Sequence, residues 1–474
     1  MLKETADQIS PAITLLFQAS LHQGCVPSMW KKALVVPIHK KGCKSSPGNY
    51  RPISLTAILC KLCEYVVHCA VIHHLIHHDI LSDNQHGFRK RRSCETQLTL
   101  TIHDLARGLE DTGQYDVIVL DFAKAFDKVS HKRFLLKAKH CGIHGLTLQW
   151  IENFLTGRTQ QVILEGQLSS EAKVTSVVPQ GSVLGPLLFL IYINDLQDCI
   201  RHSTTRFYAD DCLLYKPIRS IQDCDKLQED LDRLQDWEKT WKMEFHPSKC
   251  QVLRVTNKKK PLLGQYTIHG HQLEQVNSAK YLGVHIDQKL NFNAHVDATV
   301  KKANSVCAFL RRNFRHCNQK IKEATYVTYT RPIVEYAATA WDPHTQRNIN
   351  KVEMVQCRSA WYVCGDFDRT SSVTSMTNKL KWPSLVSGRL QSRLAMLYRI
   401  RFGLVDIEWQ QYLKAATSVT RGHGFRFGAT LCTSQAYIIS FFPRTTKDWN
   451  NLPVDPACSL SLESFKSSLG KKQP

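Results

Sequence analysis

The chain has 474 residues, of which 43% are hydrophobic and 22% are charged, a composition that excludes a wholly disordered polypeptide. The length suggests roughly two to four domains. Lys and Arg number 62 against 41 Asp and Glu, so the formal net charge is +21, which favours a polyanionic partner such as nucleic acid.

The termini and apolar runs bear on where the protein works. The first residues lack the basic-then-apolar order of a signal peptide. The longest apolar run, at 183–193, contains Gly185 and Pro186 and is shorter than the about 20 residues that span a bilayer. The 17 cysteines are scattered and odd in number, which favours a reducing compartment. We therefore expect a soluble protein of a reducing compartment, without a membrane partner; the expectation that it acts in the nucleus as well as the cytoplasm comes from the family resemblance described below.

The first part of the chain alternates helical and extended patterns. Apolar residues at helical spacing over 9–21 predict an amphipathic helix, and the run 34–38 predicts a short strand. A second helix is predicted to run to His78. Cys60 and Cys63 lie inside its apolar pattern with no second pair nearby, so we expect them in the core rather than on zinc.

The centre of the chain mixes strands and helices. A basic loop at 89–92 precedes Ser93, which is placed to cap the next helix. The other predicted elements are a strand at 116–121, a Gly/Pro loop at 179–185 that opens a helix reaching Asp195, a strand, acidic turn and strand at 206–215, a helix over 227–241, and strands at 249–255 and 281–286. This mixture predicts an α+β fold.

The remainder is predicted to be mainly helical. Apolar residues over 296–310 share one helical face, and a further single helix is predicted over 321–341. From residue 401 the chain is rich in Gly, Ser and aromatic residues, and no element is assigned there.

Three carboxylates stand out. Asp210 and Asp211 are adjacent in an apolar, aromatic stretch, where burying both is costly without a cation. Asp121 closes an earlier apolar strand. A lone acidic pair is typically a solvated turn, but three carboxylates on adjacent strands suit a two-metal site for phosphoryl transfer.

These residues lie in motifs that resemble those of reverse transcriptases. The catalytic box is matched by FYADD at 207–211, the first palm motif by DFAKAFD at 121–127, and the nucleotide-side motif by VPQGSVLGP at 178–186. The fingers motifs are resembled at 30–42 and 49–55, the segment between fingers and palm at 85–93, and the last motifs at 246–249 and 281–287. Their shared order makes the match highly specific.

The C-terminal part is similar to non-LTR (LINE-type) retrotransposon polymerases, including jockey-like and chicken-repeat-like groups. The similar segments are 382–385, 393–397 and 442–453. The resemblance implies an α+β right-hand polymerase with fingers, palm, thumb and a mainly helical C-terminal region. The expected segments are an N-terminal helix truncated from a longer polyprotein at 1–19, a reverse transcriptase domain of fingers and palm at 20–287, a helical thumb and connection at 288–400, and a C-terminal region of unassigned role at 401–474.

The resemblance also implies roles for individual residues. Asp121, Asp210 and Asp211 would hold two Mg²⁺ ions, with Mn²⁺ as an alternative, assisted by the backbone carbonyl of Phe122. Lys249 matches the position that protonates the pyrophosphate leaving group. The expected dNTP-binding residues are Lys40 or Lys41 and Arg51 on the triphosphate, Phe126 as the steric gate against a 2′-hydroxyl, and Gln180 and Gly181 in the pocket.

Nucleic-acid contacts are expected at two places. Arg89, Arg91 and Arg92 would contact template phosphates, for which a solvated charge run is the alternative. Leu282 and Gly283 would form the primer grip. The implied partners are an RNA template, a DNA primer or target DNA, and dNTPs. Because the chain begins almost at the fingers, endonuclease activity is expected to lie outside it.

Three functions fit these patterns. The first is an active RNA-directed DNA polymerase, favoured by intact Asp121, Asp210 and Asp211. The second is a catalytically silent, truncated remnant that still binds nucleic acid, with a steep salt dependence. The third is a splicing factor similar to group II intron maturases, against which the LINE-like C-terminal segments argue.

Overall fold

The computed structural model describes residues 3–174, 178–368, 370–416 and 423–470. The predicted segments 1–19 and 401–474 therefore include residues (1–2, 417–422 and 471–474) that lie outside the described part. From the N-terminus to residue 256, the helices and long or short strands follow in this order: α1 (Ala6–His22), β1 (Lys32–His39), β2 (Tyr50–Leu55), α2 (Ile58–His77), α3 (Cys94–Asp111), β3 (Gln114–Asp121), α4 (His131–His140), α5 (Gly145–Leu155), β4 (Arg158–Leu164), β5 (Gln167–Leu168), β6 (Ala172–Val174), α6 (Gly185–Ile193), β7 (Thr204–Tyr208), β8 (Asp211–Pro217), α7 (Ile221–Trp241) and β9 (Gln251–Thr256).

Short strands and then helices complete the described chain. They are β10 (Thr267–Ile268), β11 (His271–Gln272), β12 (Glu274–Val276), β13 (Ser278–Tyr281), β14 (Val284–Asp287), α8 (Asn293–Asn313), α9 (Gln319–Thr325), α10 (Arg331–Glu335), α11 (Ala338–Trp341), α12 (Gln346–Cys364), α13 (Val373–Lys379), α14 (Leu385–Arg401), α15 (Gln435–Ile438), α16 (Phe441–Asn450), α17 (Val454–Ala457) and α18 (Leu462–Gly470).

A five-stranded central sheet, in the order β12-β9-β3-β8-β7, organises the fold. Its middle strand β3 is antiparallel to both β8 and β9. Alternate residues of a strand point to opposite faces, and β3 is apolar on both. Ile118 and Leu120 pack into a core with α2, α6 and α7, whereas Val117 packs into a second core with α3 and α8. The sheet is thus covered on both faces, as expected for an α+β fold.

A second, outer sheet combines two strands that precede β3 in the chain with three that follow it. Its strands follow the order β2-β1-β4-β5, with β6 also paired to β4. Strand β1 is antiparallel to β2 and parallel to β4. The β1–β2 hairpin carries the basic residues that the sequence assigns to the triphosphate.

Helix α2 packs into the apolar core on one face of the central sheet. By length and composition alone it is apolar enough to cross a membrane, a test that core helices of soluble proteins also pass, and no other described helix meets it. Four of its residues, Cys60, Cys63, Val67 and Val71, belong to the core cluster that contains α6. The expectation that Cys60 and Cys63 are core residues is therefore confirmed.

Two predicted elements differ from the structure. The single helix predicted over 321–341 is continuous past Pro332 to Glu335 and is broken at Tyr336 and Ala337, where the backbone leaves the helical conformation before α11. A π-helical turn, Tyr326–Thr330, precedes Pro332, and the backbone of Ala337 turns left-handed with φ +50°. The strand predicted over 281–286 is the β13–β14 hairpin, whose turn residues Leu282 and Gly283 both have positive φ, as a two-residue type I′ turn requires.

The segment beyond residue 401 forms one apolar cluster with α14. Leu397 of α14 packs with Phe442, Trp449 and Phe465, and Leu100 of α3 joins the same cluster. Because α3 also backs the central sheet, the last helices lie against the layer that supports β3 and β8. The predicted boundary at 400 therefore falls inside one continuous core, and the domain limits stay predictions.

Candidate active site

The structure brings the three predicted carboxylates together at one end of the central sheet. Asp121, the last residue of β3, is the cross-strand partner of Asp211, the first residue of β8. Asp210 lies in the two-residue turn between β7 and β8, where Ala209 takes φ +54°. A positive φ at the first turn position is the pattern of a type II′ hairpin. This tight turn holds Asp210 beside the facing pair.

The carboxylates perturb one another. Although Asp211 reaches solvent, surrounding protein atoms desolvate its carboxylate, and Asp210 and Asp121 add repulsion, which raises its pKa to about 6. Desolvation, followed by the charge of Asp121, also raises the pKa of Asp210, while Arg51 and Lys40 oppose that rise. The cluster therefore favours an added cation, and two predicted triphosphate-binding residues are close enough to act on it electrostatically.

Lys249 adjoins the same cluster. Its Nζ lies 3.3 Å from Asp121 Oδ2, and the two side chains are 55% and 44% exposed. The turn Pro247–Lys249 is held at the end of β3 because the amide of His246 donates to the carbonyl of Asp121 at 2.7 Å. An ion pair this exposed contributes little to stability, so its position next to Asp121 matters more than its strength.

Phe122 continues β3 beyond the carboxylate. Its ring is buried and stacks on Phe245 with centroids 4.4 Å apart, and the two backbones form an antiparallel bridge. This packing fixes the strand end that carries Asp121. The metal-ligand role of the Phe122 carbonyl stays a prediction.

Phe126 stands between the carboxylates and α6. A left-handed residue, Lys124 with φ +55°, starts the short 3-10 turn that carries the Phe126 ring. The ring stacks on Phe189 of α6 at 4.4 Å and meets the edge of Phe88 at 6.3 Å. Phe126 is half-buried, so part of the ring reaches open space, as a steric gate requires.

Gln180 and Gly181 connect α6 with the outer sheet. Gln180 Nε2 donates to Asp127 Oδ1 at 3.1 Å, and its carbonyl accepts the amide of Ser54 at 2.7 Å. Gly181 takes φ +110°, and a Cβ there would lie 2.6 Å from the carbonyl oxygen of Ser54. The loop and β2 thus approach too closely for any side chain at position 181.

Lys40, Lys41 and Arg51 are exposed residues of the β1–β2 hairpin. Arg51 pairs with Ile38 across the hairpin, and the amide of Lys40 donates to the carbonyl of Asn49 at 2.8 Å. Of these three cations, Arg51 and Lys40 are near enough to the carboxylate cluster to lower the pKa of Asp210.

The predicted template arginines differ in their surroundings. Arg89 donates to the carbonyl of Ser82 at 2.6 Å, and Arg92, only 5% exposed, pairs with Asp83 and Asp406. Arg91 is exposed. The guanidinium groups of Arg89 and Arg92 are thus engaged with protein, and template contact by the three stays a prediction.

Leu282 and Gly283, the predicted primer-grip residues, form the turn of the β13–β14 hairpin, and their role stays a prediction. The hydroxyl of Tyr336 donates to the carbonyl of Leu282 at 2.9 Å and packs over Gly283. The adjoining Tyr281 is buried, and its hydroxyl accepts a hydrogen bond from Gln97 at 3.1 Å. The hairpin tip is held from two sides, which suits a fixed contact surface.

Residues 84–87, not assigned a role from the sequence, support the acidic turn. Gln85 Oε1 accepts the amide of Ala209 at 2.9 Å and the amide of Gly87 at 2.7 Å. A Cβ on Gly87 would lie 2.2 Å from the Ala209 nitrogen. The Gln-x-Gly spacing within the matched segment 85–93 is the signal that points to them.

Glu64 is a second residue without a sequence-derived role. Its buried carboxylate accepts the amides of Val183 and Leu184 at 2.7 and 3.0 Å, at the start of α6. Desolvation by burial raises its pKa, and these amides oppose the rise. The Glu64 carboxylate therefore holds the end of the nucleotide-side loop in place through two backbone amides. Among the described residues, no group of three or more His, Cys, Asp or Glu is arranged so that it could hold a metal ion, and the metal-ligand role of Asp121, Asp210 and Asp211 stays a prediction.

Comparison with known proteins agrees with these motifs. The family model described as "Reverse transcriptase (RNA-dependent DNA polymerase)" matches residues 38–286. The chain is 30% identical to "Probable RNA-directed DNA polymerase from transposon BS" of Drosophila melanogaster, over 73% of this chain and 40% of that protein. It is 27% identical to "RNA-directed DNA polymerase from mobile element jockey" of the same organism, over 79% of this chain and 43% of that protein. The expected similarity to non-LTR retrotransposon polymerases is thereby confirmed.

Solved structures of telomerase are also similar in fold. Apo telomerase from Candida tropicalis matches with a TM-score of 0.44 at 8% identity, over 78% of this chain and 64% of that one. Telomerase from Candida albicans matches with a TM-score of 0.40 at 11% identity, over 84% and 68%. The chain spans about two fifths of the length of the curated relatives it matches. Since the family model covers more than half of the residues, the chain belongs to the reverse transcriptase (RNA-dependent DNA polymerase) family.

Proposed function

We propose that this chain is an RNA-directed DNA polymerase of a non-LTR retrotransposon, which extends a DNA 3′-hydroxyl on an RNA template. The observation that carries the proposal is the facing pair of Asp121 and Asp211 with Asp210 in the adjoining turn, in a member of this family. Its substrates are dNTPs, and its partners are template RNA and primer or target DNA. We place this activity in the nucleus and cytoplasm, and assign no endonuclease activity to the described residues.

The donor set fits divalent cations. Asp121, Asp210 and Asp211 offer hard oxygen ligands, as Mg²⁺ prefers, and their mutual repulsion and desolvation raise the pKa of Asp211 to about 6. These three side chains, with the Phe122 carbonyl, would hold two Mg²⁺ ions, with Mn²⁺ as an alternative. When bound, two such ions supply charge neutralisation for the attacking and leaving oxygens of phosphoryl transfer.

The remaining residues bind and orient the nucleotide. Arg51, with Lys40 or Lys41, holds the triphosphate, since the β1–β2 hairpin already acts on the carboxylate cluster. The Phe126 ring fills the space of a 2′-hydroxyl and so favours dNTPs. Gln180 and Gly181 line the pocket where the loop backbone meets β2.

Lys249 acts as the general acid that protonates the pyrophosphate leaving group. In the transfer step the primer 3′-hydroxyl gives up its proton to solvent, its oxygen bonds to the α-phosphorus, the bond from that phosphorus to the bridging oxygen breaks, and pyrophosphate leaves. The Lys249 ammonium gives the departing pyrophosphate a proton, a role supported by the 3.3 Å between its Nζ and Asp121 Oδ2. Leu282 and Gly283 grip the primer, and Arg89, Arg91 and Arg92 lie on the template side.

The test is dNTP incorporation on an oligo-dT-primed poly-rA template with Mg²⁺, comparing wild type with Asp210→Asn. Incorporation that the substitution abolishes is the expected result. A matched control is Asp236→Asn on exposed α7, which should leave incorporation unchanged. No incorporation by folded wild type that still binds primer–template would contradict the proposal and favour the silent, nucleic-acid-binding remnant.

A further inference from the structure

The segment that follows α14 reaches back to the loop beside the acidic turn. Asp406 lies in this segment, 314 residues after Arg92 in the chain. Its Oδ2 accepts Arg92 Nε at 2.6 Å, and its amide donates to the carbonyl of Arg91 at 3.1 Å. One residue from the C-terminal region thus holds two consecutive residues of the loop, through both its side chain and its backbone.

Arg92 passes this contact to the loop backbone. Its guanidinium donates to the carbonyl of Asp83, to Asp83 Oδ1 at 2.7 Å and to the carbonyl of Gln85 at 3.4 Å. The Arg92 side chain is 5% exposed, whereas that of Asp83 is 81% exposed. Asp406 is the less exposed of the two carboxylate partners of Arg92, at 48% against 81% for Asp83, and it joins this buried cation to the segment that follows α14.

The loop in turn holds the acidic turn. The amide of His86 donates to the carbonyl of Phe207 and the amide of Phe207 to the carbonyl of Asn84, each at 2.9 Å, so the loop runs beside β7. Gln85 Oε1 accepts the amide of Ala209, the residue before Asp210. A displacement of residues 83–86 therefore displaces the turn that carries the carboxylate.

A second anchor of the C-terminal region lies away from this loop. The Glu110 carboxylate of α3 accepts the amides of Thr433 and Ser434, both at 3.1 Å, at the start of α15. The apolar cluster of α14, α16 and α18 also packs on α3. The docking of the C-terminal region as a whole thus has contacts that do not involve Asp406, and a loss of Asp406 acts on the loop specifically.

We propose that Asp406, through Arg92, is a positioning residue for the acidic turn, so that the C-terminal region has a direct part in nucleotide addition. Neither residue touches the carboxylates, and the effect runs from Asp406 to Arg92, to the Gln85 backbone, to Ala209. The role in catalysis rests on the proposed polymerase function, whereas the mechanical coupling does not.

The first experiment measures steady-state dNTP incorporation by full-length Asp406→Ala, Asp406→Glu and Glu110→Gln. Asp406→Ala should lower kcat by about tenfold to 100-fold with the dNTP KM little changed, because misplacement of a reacting group acts on the chemical step. Asp406→Glu should recover part of the loss, and Glu110→Gln should keep kcat. In an Arg92→Ala background, Asp406→Ala should cause no further loss. An unchanged kcat in Asp406→Ala, or an equal loss in Glu110→Gln, would overturn the proposal.

A second measurement separates the coupling from the activity. Hydrogen exchange of the amides at 207–209 should become faster in Asp406→Ala than in wild type, since the Ala209 amide donates to Gln85, and should stay at the wild-type rate in Glu110→Gln. If wild type incorporates no nucleotide but Asp406→Ala and Glu110→Gln differ in exchange as expected, the proposed function fails while the coupling stands. Unchanged exchange at 207–209 in Asp406→Ala overturns the coupling itself.

Discussion

The backbone of Gly87 packs directly on Ala209, so that a Cβ at position 87 would lie 2.2 Å from the Ala209 nitrogen. Gly87 is buried, and the atoms it meets belong to the backbone of the acidic turn. No side-chain rotation relieves such a clash, so either the turn or the loop has to move. A residue larger than glycine at position 87 would therefore displace the turn that carries Asp210.

We expect Gly87→Ala to lower both activity and stability. Overpacking of this kind costs about 1–3 kcal/mol, and the shift of the turn should lower kcat for incorporation more than it raises the dNTP KM. Urea unfolding and steady-state kinetics measure the two effects. Gly48→Ala is the matched control, because a Cβ there meets only Ser46 Oγ at 3.9 Å. Wild-type kinetics for Gly87→Ala would show that the turn tolerates the displacement.

The raised pKa of Asp211, about 6, predicts a pH-dependent stability in the absence of divalent metal. The unfolded-state pKa is about 3.9, so between pH 4 and 6, approximately, the native state binds more protons than the unfolded state. The free energy of unfolding should therefore fall as pH rises through this window and level off above it. Asp211→Asn should remove this component and be the more stable protein at pH 7, by ~1 kcal/mol after solvent screening.

Urea titrations in EDTA at pH 5 and pH 7 measure this difference between wild type and variant. Comparison of the two proteins cancels the titration of other groups, such as Glu238, whose pKa burial raises to about 7. The matched control is Asp236→Asn, whose carboxylate is 76% exposed. A variant that is less stable than wild type at pH 7 would show that the Asp211 charge is compensated by contacts other than metal.

Metal binding should reverse the same instability. Ions that bind only the folded state raise its free energy of unfolding in proportion to the logarithm of their concentration. We expect Mg²⁺ at pH 7 to raise the Tm of wild type and to have a smaller effect on Asp210→Asn and Asp211→Asn. Equal shifts in all three proteins would place the bound ion away from the carboxylates. Thermal unfolding with Mg²⁺ and with Ca²⁺ makes the comparison without reference to activity.

The sequence predicted the residues of the acidic site, but not the residues that hold the acidic turn in place. Asp121, Asp210 and Asp211 could be found because carboxylates at strand ends in apolar surroundings are rare without a function, and the structure pairs Asp121 with Asp211. The cap at Ser93 was predicted and is present, since its hydroxyl accepts the amide of Thr96 at 3.2 Å. The prediction of the cap rests on residues close in sequence, and the prediction of the carboxylates rests on the apolar pattern of the strands that carry them.

Long-range contacts were beyond the same reasoning. Gln85 holds Ala209 across 124 positions, and a neutral side chain carries no pattern that announces such a partner. Arg89 and Arg92 were assigned to the template from the resemblance of segment 85–93, and nothing local to them indicates the carbonyl of Ser82 or the carboxylate of Asp406 as their partners. A run of basic residues predicts affinity for anions, but the fold determines whether that anion is a nucleic-acid phosphate or a carboxylate of the protein itself.

Phe126→Val should relax the choice of sugar. The smaller side chain opens the space beside the nucleotide, so incorporation of rNTPs relative to dNTPs should rise, by about tenfold or more if the ring excludes the 2′-hydroxyl sterically. Competing incorporation of dTTP and UTP on poly-rA measures the ratio. Phe189→Leu is the matched control, because it weakens the same 4.4 Å stack but keeps the ring of Phe126. An equal rise in both variants would assign the effect to loosened packing instead.

Lys249→Ala should lower kcat for incorporation with little change in the dNTP KM, because a proton donor to the leaving group acts in the transition state rather than in binding. The loss should be about 100-fold, within the usual range for general acid catalysis. The matched control is Lys239→Ala, whose ammonium forms a similarly exposed ion pair at 3.0 Å with Asp236. A higher KM with unchanged kcat would instead make Lys249 a binding residue that neutralises Asp121.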